Sequence, residues 1–103
     1  MAQTTIADSQ GNGDSTPVLI KSVHRNTYGE VLLGIFGTFD GATVKVRVSR
    51  DDAGVDFMDL GAEATLTEPN GLSLNIPSKE DLYLFINVSS GGGSVSIGAE
   101  VYS

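Results

Sequence analysis

The sequence predicts an all-β protein: an antiparallel β-sandwich of jelly-roll or immunoglobulin-like type, with about eight strands and a polar N-terminal arm. No segment sustains the apolar period of a helix. Short alternating runs of β-branched and aromatic residues recur, and Gly, Pro and Asn separate them at regular intervals. A chain of 103 residues has the length of one domain and can bury a modest core.

Residues 1–16 are expected to form a flexible arm, and residues 17–103 the sandwich domain. The stretch "SQGNGDSTP" is polar and glycine-rich, and it ends at Pro17, whose nitrogen cannot donate to a strand ladder. Such an arm is either disordered or ordered by a neighbouring molecule. A short strand over residues 3–7 stays open as an alternative.

The remaining chain divides into strand-like segments with turn residues between them. They cover residues 18–24, 29–39, 42–50, 55–60, 62–67, 72–76, 81–90 and 94–103. The turn dipeptide Asp40-Gly41 predicts a hairpin, because Asp-Gly tolerates positive φ at both positions. That register pairs Phe39 with Ala42, Gly37 with Val44, Ile35 with Val46 and Leu33 with Val48.

A second hairpin is predicted around Gly91-Gly92, with a bulge at Gly92 or Gly93 as an alternative. It pairs Val88 with Val95, Ile86 with Ile97, Leu84 with Ala99 and Leu82 with Val101. The apolar faces of the two hairpins are expected to stack as the sandwich core. The predicted core contains Val31, Leu33, Ile35, Phe39, Val44, Val46, Val48, Leu82, Leu84, Ile86, Val88, Val95, Ile97 and Val101, completed by Phe57, Leu66, Leu74 and Ile76.

Two outward faces are the candidate interaction sites. The first hairpin places Leu32 and Phe36 beside Lys45 and Arg47, an arrangement that fits either an interface anchor or basic stems covering a ring. The second hairpin places Tyr83, Phe85 and Tyr102 on one face. These aromatics fit either a platform for sugars or protein, or simple cross-strand packing in which Phe85 folds over Gly98.

Composition argues against several classes of function. The net charge of −7 disfavours nucleic acid, and the longest apolar run, residues 31–36, is too short to span a membrane. With no Cys and only His24, no zinc site and no nucleophile–histidine arrangement is indicated. No signal peptide is expected at the N-terminus. We therefore predict no catalytic, cofactor-binding or metal-binding residues.

The acidic stretch "RDDAGVDFMD" allows two weaker alternatives. Asp51, Asp52 and Asp56 could supply oxygens to Ca²⁺, although their spacing does not match an EF-hand and an acidic turn is the commoner explanation. Asp51 and Asp52 could act as the acid pair of a small carbohydrate-active enzyme.

Three blocks of the chain, residues 37–44, 49–57 and 82–97, resemble segments of small structural proteins of tailed bacteriophage virions. They contain a "GTFDGATV" turn, an acidic loop followed by an aromatic residue, and a "NVSSGGGSVSI" strand pair. The resemblance implies a capsid decoration (cement) protein, often a trimer, that is made in the host cytoplasm and located on the virion. Its partner would be the major capsid protein or another virion protein.

The favoured hypothesis is therefore a non-enzymatic homo-oligomer, preferably a trimer, that binds and stabilises a coat lattice. The alternative is a receptor-binding or fibre module that binds cell-surface glycans through the aromatic face.

Overall fold

A computed structural model describes residues 3–20, 30–61, 64–75 and 81–102. It contains ten strands in these residues, and the pairings between them are antiparallel. The strands are β1 (Gln3–Gln10), β2 (Gly13–Asp14), β3 (Val18–Leu19), β4 (Glu30–Thr38), β5 (Thr43–Ser49), β6 (Phe57–Asp59), β7 (Thr65–Leu66), β8 (Asn70–Asn75), β9 (Tyr83–Ser89) and β10 (Ser96–Tyr102). The predicted all-β antiparallel sandwich is confirmed.

The strands form two sheets. Sheet A has the order β1-β10-β4-β8, and sheet B has the order β2-β9-β5-β6, with β3 also paired to β9 and β7 to β5. Because β2 and β3 share one neighbour, as do β6 and β7, the ten segments occupy eight positions. The chain changes sheet at β1–β2, β3–β4, β4–β5, β7–β8, β8–β9 and β9–β10, which is the jelly-roll arrangement.

Neither predicted hairpin forms. The Asp40-Gly41 turn is present, with φ of 48° and 81° and a 2.8 Å hydrogen bond from the nitrogen of Ala42 to the oxygen of Phe39. However, β4 pairs with β10 and β8, whereas β5 pairs with β9, β6 and β7. The turn therefore carries the chain from sheet A to sheet B, and the glycine-rich loop between β9 and β10 carries it back.

Most of the predicted core is confirmed, because the inward side of each strand does not depend on which strand pairs with it. Phe57 is an exception, since it is 42% exposed and lies outside the core cluster. Leu74, Leu82 and Val95 are partly buried against the core, and Ile76 lies outside the described residues. The buried members of the cluster that were not predicted are Ile6, Ala7, Ile20, Ala42, Ala64 and Ala99.

The N-terminal segment differs from the expected arm. Strand β1 extends sheet A by pairing with β10, and it buries Ile6 and Ala7. Buried Ser15 then pairs with β9 twice: its nitrogen donates to the oxygen of Ile86, and its hydroxyl accepts from the nitrogen of Ile86, both at 2.9 Å. The apolar pair in β1 and the Ser15 contacts account for the attachment of this polar segment to the sandwich.

Loops at one end of the sandwich are joined by hydrogen bonds. The carboxylate of Asp40 accepts from the nitrogen of Ser94 at 3.0 Å, and its carbonyl oxygen accepts from the nitrogen of Gly92 at 3.0 Å. The side-chain amide of Asn12 donates to the oxygen of Gly91 and accepts from its nitrogen, both at 2.9 Å. These contacts connect the loops that follow β1, β4 and β9.

Candidate functional site

The outer face of sheet A presents large apolar side chains to solvent. Leu32 and Phe36 lie on the same face of β4, and their side chains are 46% and 43% exposed. Tyr102 of β10 lies directly opposite Leu32. We call this group, Leu32, Phe36 and Tyr102, the sheet A patch. Two of its members were predicted to face outward on one hairpin and the third on the other, and the pairing of β4 with β10 unites them.

Both rings of the sheet A patch lie over glycines of the neighbouring strand. A Cβ built on Gly98, opposite Phe36, would lie 2.9 Å from Cδ2 of the Phe36 ring. A Cβ on Gly34 would lie 3.4 Å from Cε2 of Tyr102. The absence of side chains at these two positions leaves room for the rings to lie over the neighbouring strand.

Glu100 is the charged group beside the sheet A patch. Its Oε2 accepts hydrogen bonds from the Gln3 side-chain amide and from the Tyr102 hydroxyl, the latter at 3.1 Å. The hydrogen bond to Glu100 is the main cause that raises the pKa of Tyr102 above its ordinary value, and desolvation adds to it. Tyr102 therefore stays a neutral hydroxyl over the physiological range.

Charge is divided unequally between the two sheets. The four strands of sheet A contain Asp8, Glu30 and Glu100 but no Lys or Arg. In the described part of the chain, Lys45 and Arg47 belong to β5 of sheet B, and Arg50 follows that strand. The sheet A patch is therefore an apolar surface with the Glu100 carboxylate beside it and no Lys or Arg on the strands of its own sheet.

This division corrects the expected association of Lys45 and Arg47 with Leu32 and Phe36. Because β5 is in sheet B, the two basic residues belong to the other sheet. Arg47 instead lies 4.2 Å from the ring centroid of Phe57, and its Nε is 2.6 Å from the Asp59 carboxylate. Its Nη1 is 3.7 Å from Asp14, so Arg47 is held by groups of its own sheet.

The expected aromatic face of Tyr83, Phe85 and Tyr102 is also divided. Tyr83 and Phe85 lie on β9 of sheet B, and Tyr102 lies on β10 of sheet A. Tyr83 is half-buried, and Phe85 is fully buried. It is Phe36, and not Phe85, that lies over Gly98.

Phe85 is buried on the outer side of sheet B because a loop folds over it. The ring of Phe57 meets it edge to face, with 6.2 Å between centroids. A Cβ on Gly54 would lie 3.3 Å from both Phe85 Cζ and Pro17 Cγ, so the loop backbone closes the remaining side. Gly54 has φ of 73°, a conformation that glycine adopts without strain, but the sequence of the loop gives no signal that it covers Phe85.

The acidic loop uses Asp51 to hold its own backbone. The two carboxylate oxygens accept from the nitrogens of Val55 at 3.1 Å and Asp56 at 2.9 Å. These hydrogen bonds, chiefly that from Asp56, lower the pKa of Asp51 below its ordinary value, and burial opposes them. Within the described ranges, no three His, Cys, Asp or Glu side chains converge as a metal ligand set. His24 lies outside those ranges.

A cavity of about 230 Å³ lies beside β8. Among the residues that the structure describes, those that line the cavity carry no titratable side chain. They are Leu60, Ala64, Gly71, Leu72, Ser73 and Leu74.

Comparisons with known proteins give no relative: no family model, no curated protein and no solved structure matches this chain. No helix in the described residues is long and apolar enough to cross a membrane.

Proposed function

We propose that this chain is a non-enzymatic structural protein of a bacteriophage virion that binds a coat lattice as a decoration, or cement, protein. The observation that carries the binding function is the sheet A patch, in which Leu32 and Phe36 remain 46% and 43% exposed. Large apolar side chains grouped on one exposed sheet face are typical of protein-binding surfaces. The virion location rests on the resemblance of residues 37–44, 49–57 and 82–97 to virion proteins.

The chemistry of the sheet A patch specifies the kind of partner surface. Its apolar centre suits an apolar patch on the coat protein, and the neighbouring Glu100 carboxylate suits a Lys or Arg beside that patch. A cation placed over Phe36 or Tyr102 would also interact favourably with the ring. The docking surface is therefore Leu32, Phe36 and Tyr102, while Arg47 is engaged by Asp59 and Phe57.

The fold is compatible with a binding role, but it does not distinguish a coat protein from a glycan as the binding partner. Jelly rolls are used both in viral capsid proteins and in lectins, so architecture alone favours neither coat nor glycan. We favour the coat because the three aromatics expected to form a glycan platform do not share a face. A homo-oligomer, preferably a trimer, would present several such patches to a symmetric lattice and gain avidity.

The test is co-sedimentation of the purified chain with assembled coat shells of the virus that encodes it. Leu32→Ser and Phe36→Ser should each weaken binding by about tenfold or more, the range of interface anchors. Val55→Ser is the matched control, because Val55 is 77% exposed but lies in the loop after β5. Circular dichroism confirms that each variant is folded.

Loss of binding in all three variants, or in none, would contradict docking through the sheet A patch. Sedimentation velocity of the free chain tests the trimer, and a strict monomer at high concentration would remove that part of the proposal. A glycan array provides the competing outcome. Specific sugar binding that Tyr102→Ala abolishes, without any binding to coat shells, would replace the coat with a cell-surface receptor.

A further inference from the structure

The chain contains two Asn-Gly dipeptides, Asn12-Gly13 and Asn70-Gly71. In such a pair the backbone nitrogen of glycine can attack the amide carbon of the preceding asparagine, because glycine has no Cβ to obstruct the approach. Asparagine is for this reason among the chemically labile residues of proteins. The two pairs are equivalent in sequence, so any difference between them comes from the fold.

At Asn70 the reacting groups are already together. The nitrogen of Gly71 donates a hydrogen bond to Oδ1 of Asn70 at 2.9 Å, and both residues are exposed. Because Oδ1 is bonded to Cγ, the nucleophilic nitrogen is held next to the carbon that it attacks. The side-chain amide is therefore within reach of the attacking nitrogen, and the exposure of both residues lets water reach the site.

At Asn12 the fold holds the side chain elsewhere. Its Nδ2 donates to the oxygen of Gly91, and its Oδ1 accepts from the nitrogen of Gly91, both at 2.9 Å. The amide group is therefore fixed at both ends by the loop between β9 and β10. Attack by the nitrogen of Gly13 requires both hydrogen bonds to break first, which adds to the barrier.

We propose that Asn70 is a site of spontaneous deamidation in the folded protein and that the fold protects Asn12. The Gly71 nitrogen loses its proton and bonds to Cγ of Asn70, the Cγ–Nδ2 bond breaks, and ammonia leaves. The product is a five-membered succinimide. Water then opens the succinimide at either carbonyl and yields aspartate or isoaspartate at position 70.

The modification changes β8 at its first residue. Asn70 pairs with Ile35 of β4, next to Phe36, and a Cβ on Gly71 would lie 3.6 Å from Cδ1 of Leu32. Deamidation therefore adds a negative charge at the start of β8, and isoaspartate also lengthens the β8 backbone by a methylene group. The inference does not depend on the proposed function, since it concerns only the chemistry of the two Asn-Gly pairs.

The experiment compares deamidation at the two sites in one sample. The intact chain is incubated at mildly alkaline pH, in buffer and in parallel in concentrated urea, and conversion at residues 12 and 70 is followed by peptide mass mapping. Urea removes the protection of Asn12 and makes the two pairs alike. We expect the ratio of conversion at residue 70 to conversion at residue 12 to be about tenfold higher in buffer than in urea.

Asn70→Gln is the control that shows whether the measured deamidation occurs at residue 70. The variant keeps an amide at position 70, but attack by the Gly71 nitrogen on the longer side chain would form a less favourable six-membered ring. Conversion at position 70 should therefore disappear, while conversion at residue 12 should be unchanged. An equal ratio in buffer and urea would overturn the proposal, as would faster conversion of Asn12 in the folded chain. Since the wild-type protein supplies both sites, the outcome does not depend on whether the variant folds.

Discussion

The ring of Phe36 lies over Gly98, which is directly opposite it on β10, and a Cβ at Gly98 would be within 2.9 Å of the ring. Aromatic cover of a glycine on a neighbouring strand is a stabilising device in sheets. We therefore predict that Gly98→Ala destabilises the protein because the ring must move. The cost should fall when Phe36 is replaced by Ala, giving a coupling energy of about 0.5–3 kcal/mol in a double-mutant cycle by urea unfolding. The same cost in both backgrounds would contradict this contact.

A second prediction concerns Phe85, which the alternation of β9 suggested was an exposed aromatic. Its full burial against Phe57 and the Gly54 backbone implies that Phe85→Ala lowers the free energy of unfolding by about 3–5 kcal/mol. Phe36→Ala is a matched control, since the same substitution at a 43% exposed site removes far less buried area. Chemical denaturation of the two variants measures the difference.

Equal losses for Phe85→Ala and Phe36→Ala would mean that the loop around Gly54 does not cover the outer side of sheet B. The glycan hypothesis leads to a different expectation for Phe85→Ala. It requires Phe85 to be accessible, so loss of sugar binding in a fully stable Phe85→Ala protein would also contradict the burial.

The inward and outward sides of the strands could be predicted from sequence, but their partners could not. Ile35 and Val46 are both in the core, as the alternation indicated. They were expected to pair in one sheet, yet β4 and β5 belong to different sheets. An Asp-Gly turn is compatible both with a hairpin and with a connection between two sheets. The residues of the turn therefore do not indicate which of the two connections forms.

The same distinction explains what was found and missed at the candidate site. The outward position of Leu32 and Phe36 followed from β4 alone and is confirmed. Their association with Arg47 depended on the pairing of β4 with β5 and is wrong. The attachment of the N-terminal segment depends on contacts such as that between Asn12 and Gly91, which are 79 residues apart and leave no local signal.

A third prediction compares the stability cost of alanine substitutions at two glycines of β4. Gly37 has φ of 112°, and a Cβ there would lie 3.2 Å from the carbonyl carbon of Ser96 and 3.3 Å from Cα of Ile97. Neither backbone atom can move cheaply, so Gly37→Ala should cost about 1–3 kcal/mol of stability. A Cβ on Gly34 would lie 3.4 Å from the ring of Tyr102 and 3.9 Å from the carbonyl oxygen of Glu100, which are ordinary contact distances, so Gly34→Ala should cost less. Urea unfolding of both variants tests this, and similar midpoints would show that Gly37 is not constrained.

The last prediction concerns acid stability. The backbone hydrogen bonds from Val55 and Asp56 lower the pKa of Asp51 in the folded state, whereas the unfolded chain retains the ordinary value. The unfolded state therefore binds this proton more readily. The stabilisation by Asp51 is fully present above the ordinary pKa and is lost as the pH falls through the lowered one.

We accordingly expect Asp51→Asn to be less stable than wild type at neutral pH, because the amide replaces one acceptor oxygen with a donor. The difference in unfolding free energy should shrink as the solution is acidified. Asp52→Asn removes a neighbouring charge but neither hydrogen bond, and it serves as the control. An NMR titration that places the Asp51 carboxyl at or above its ordinary pKa, or a difference that stays constant down to strongly acidic pH, would show that its carboxylate does not hold this loop.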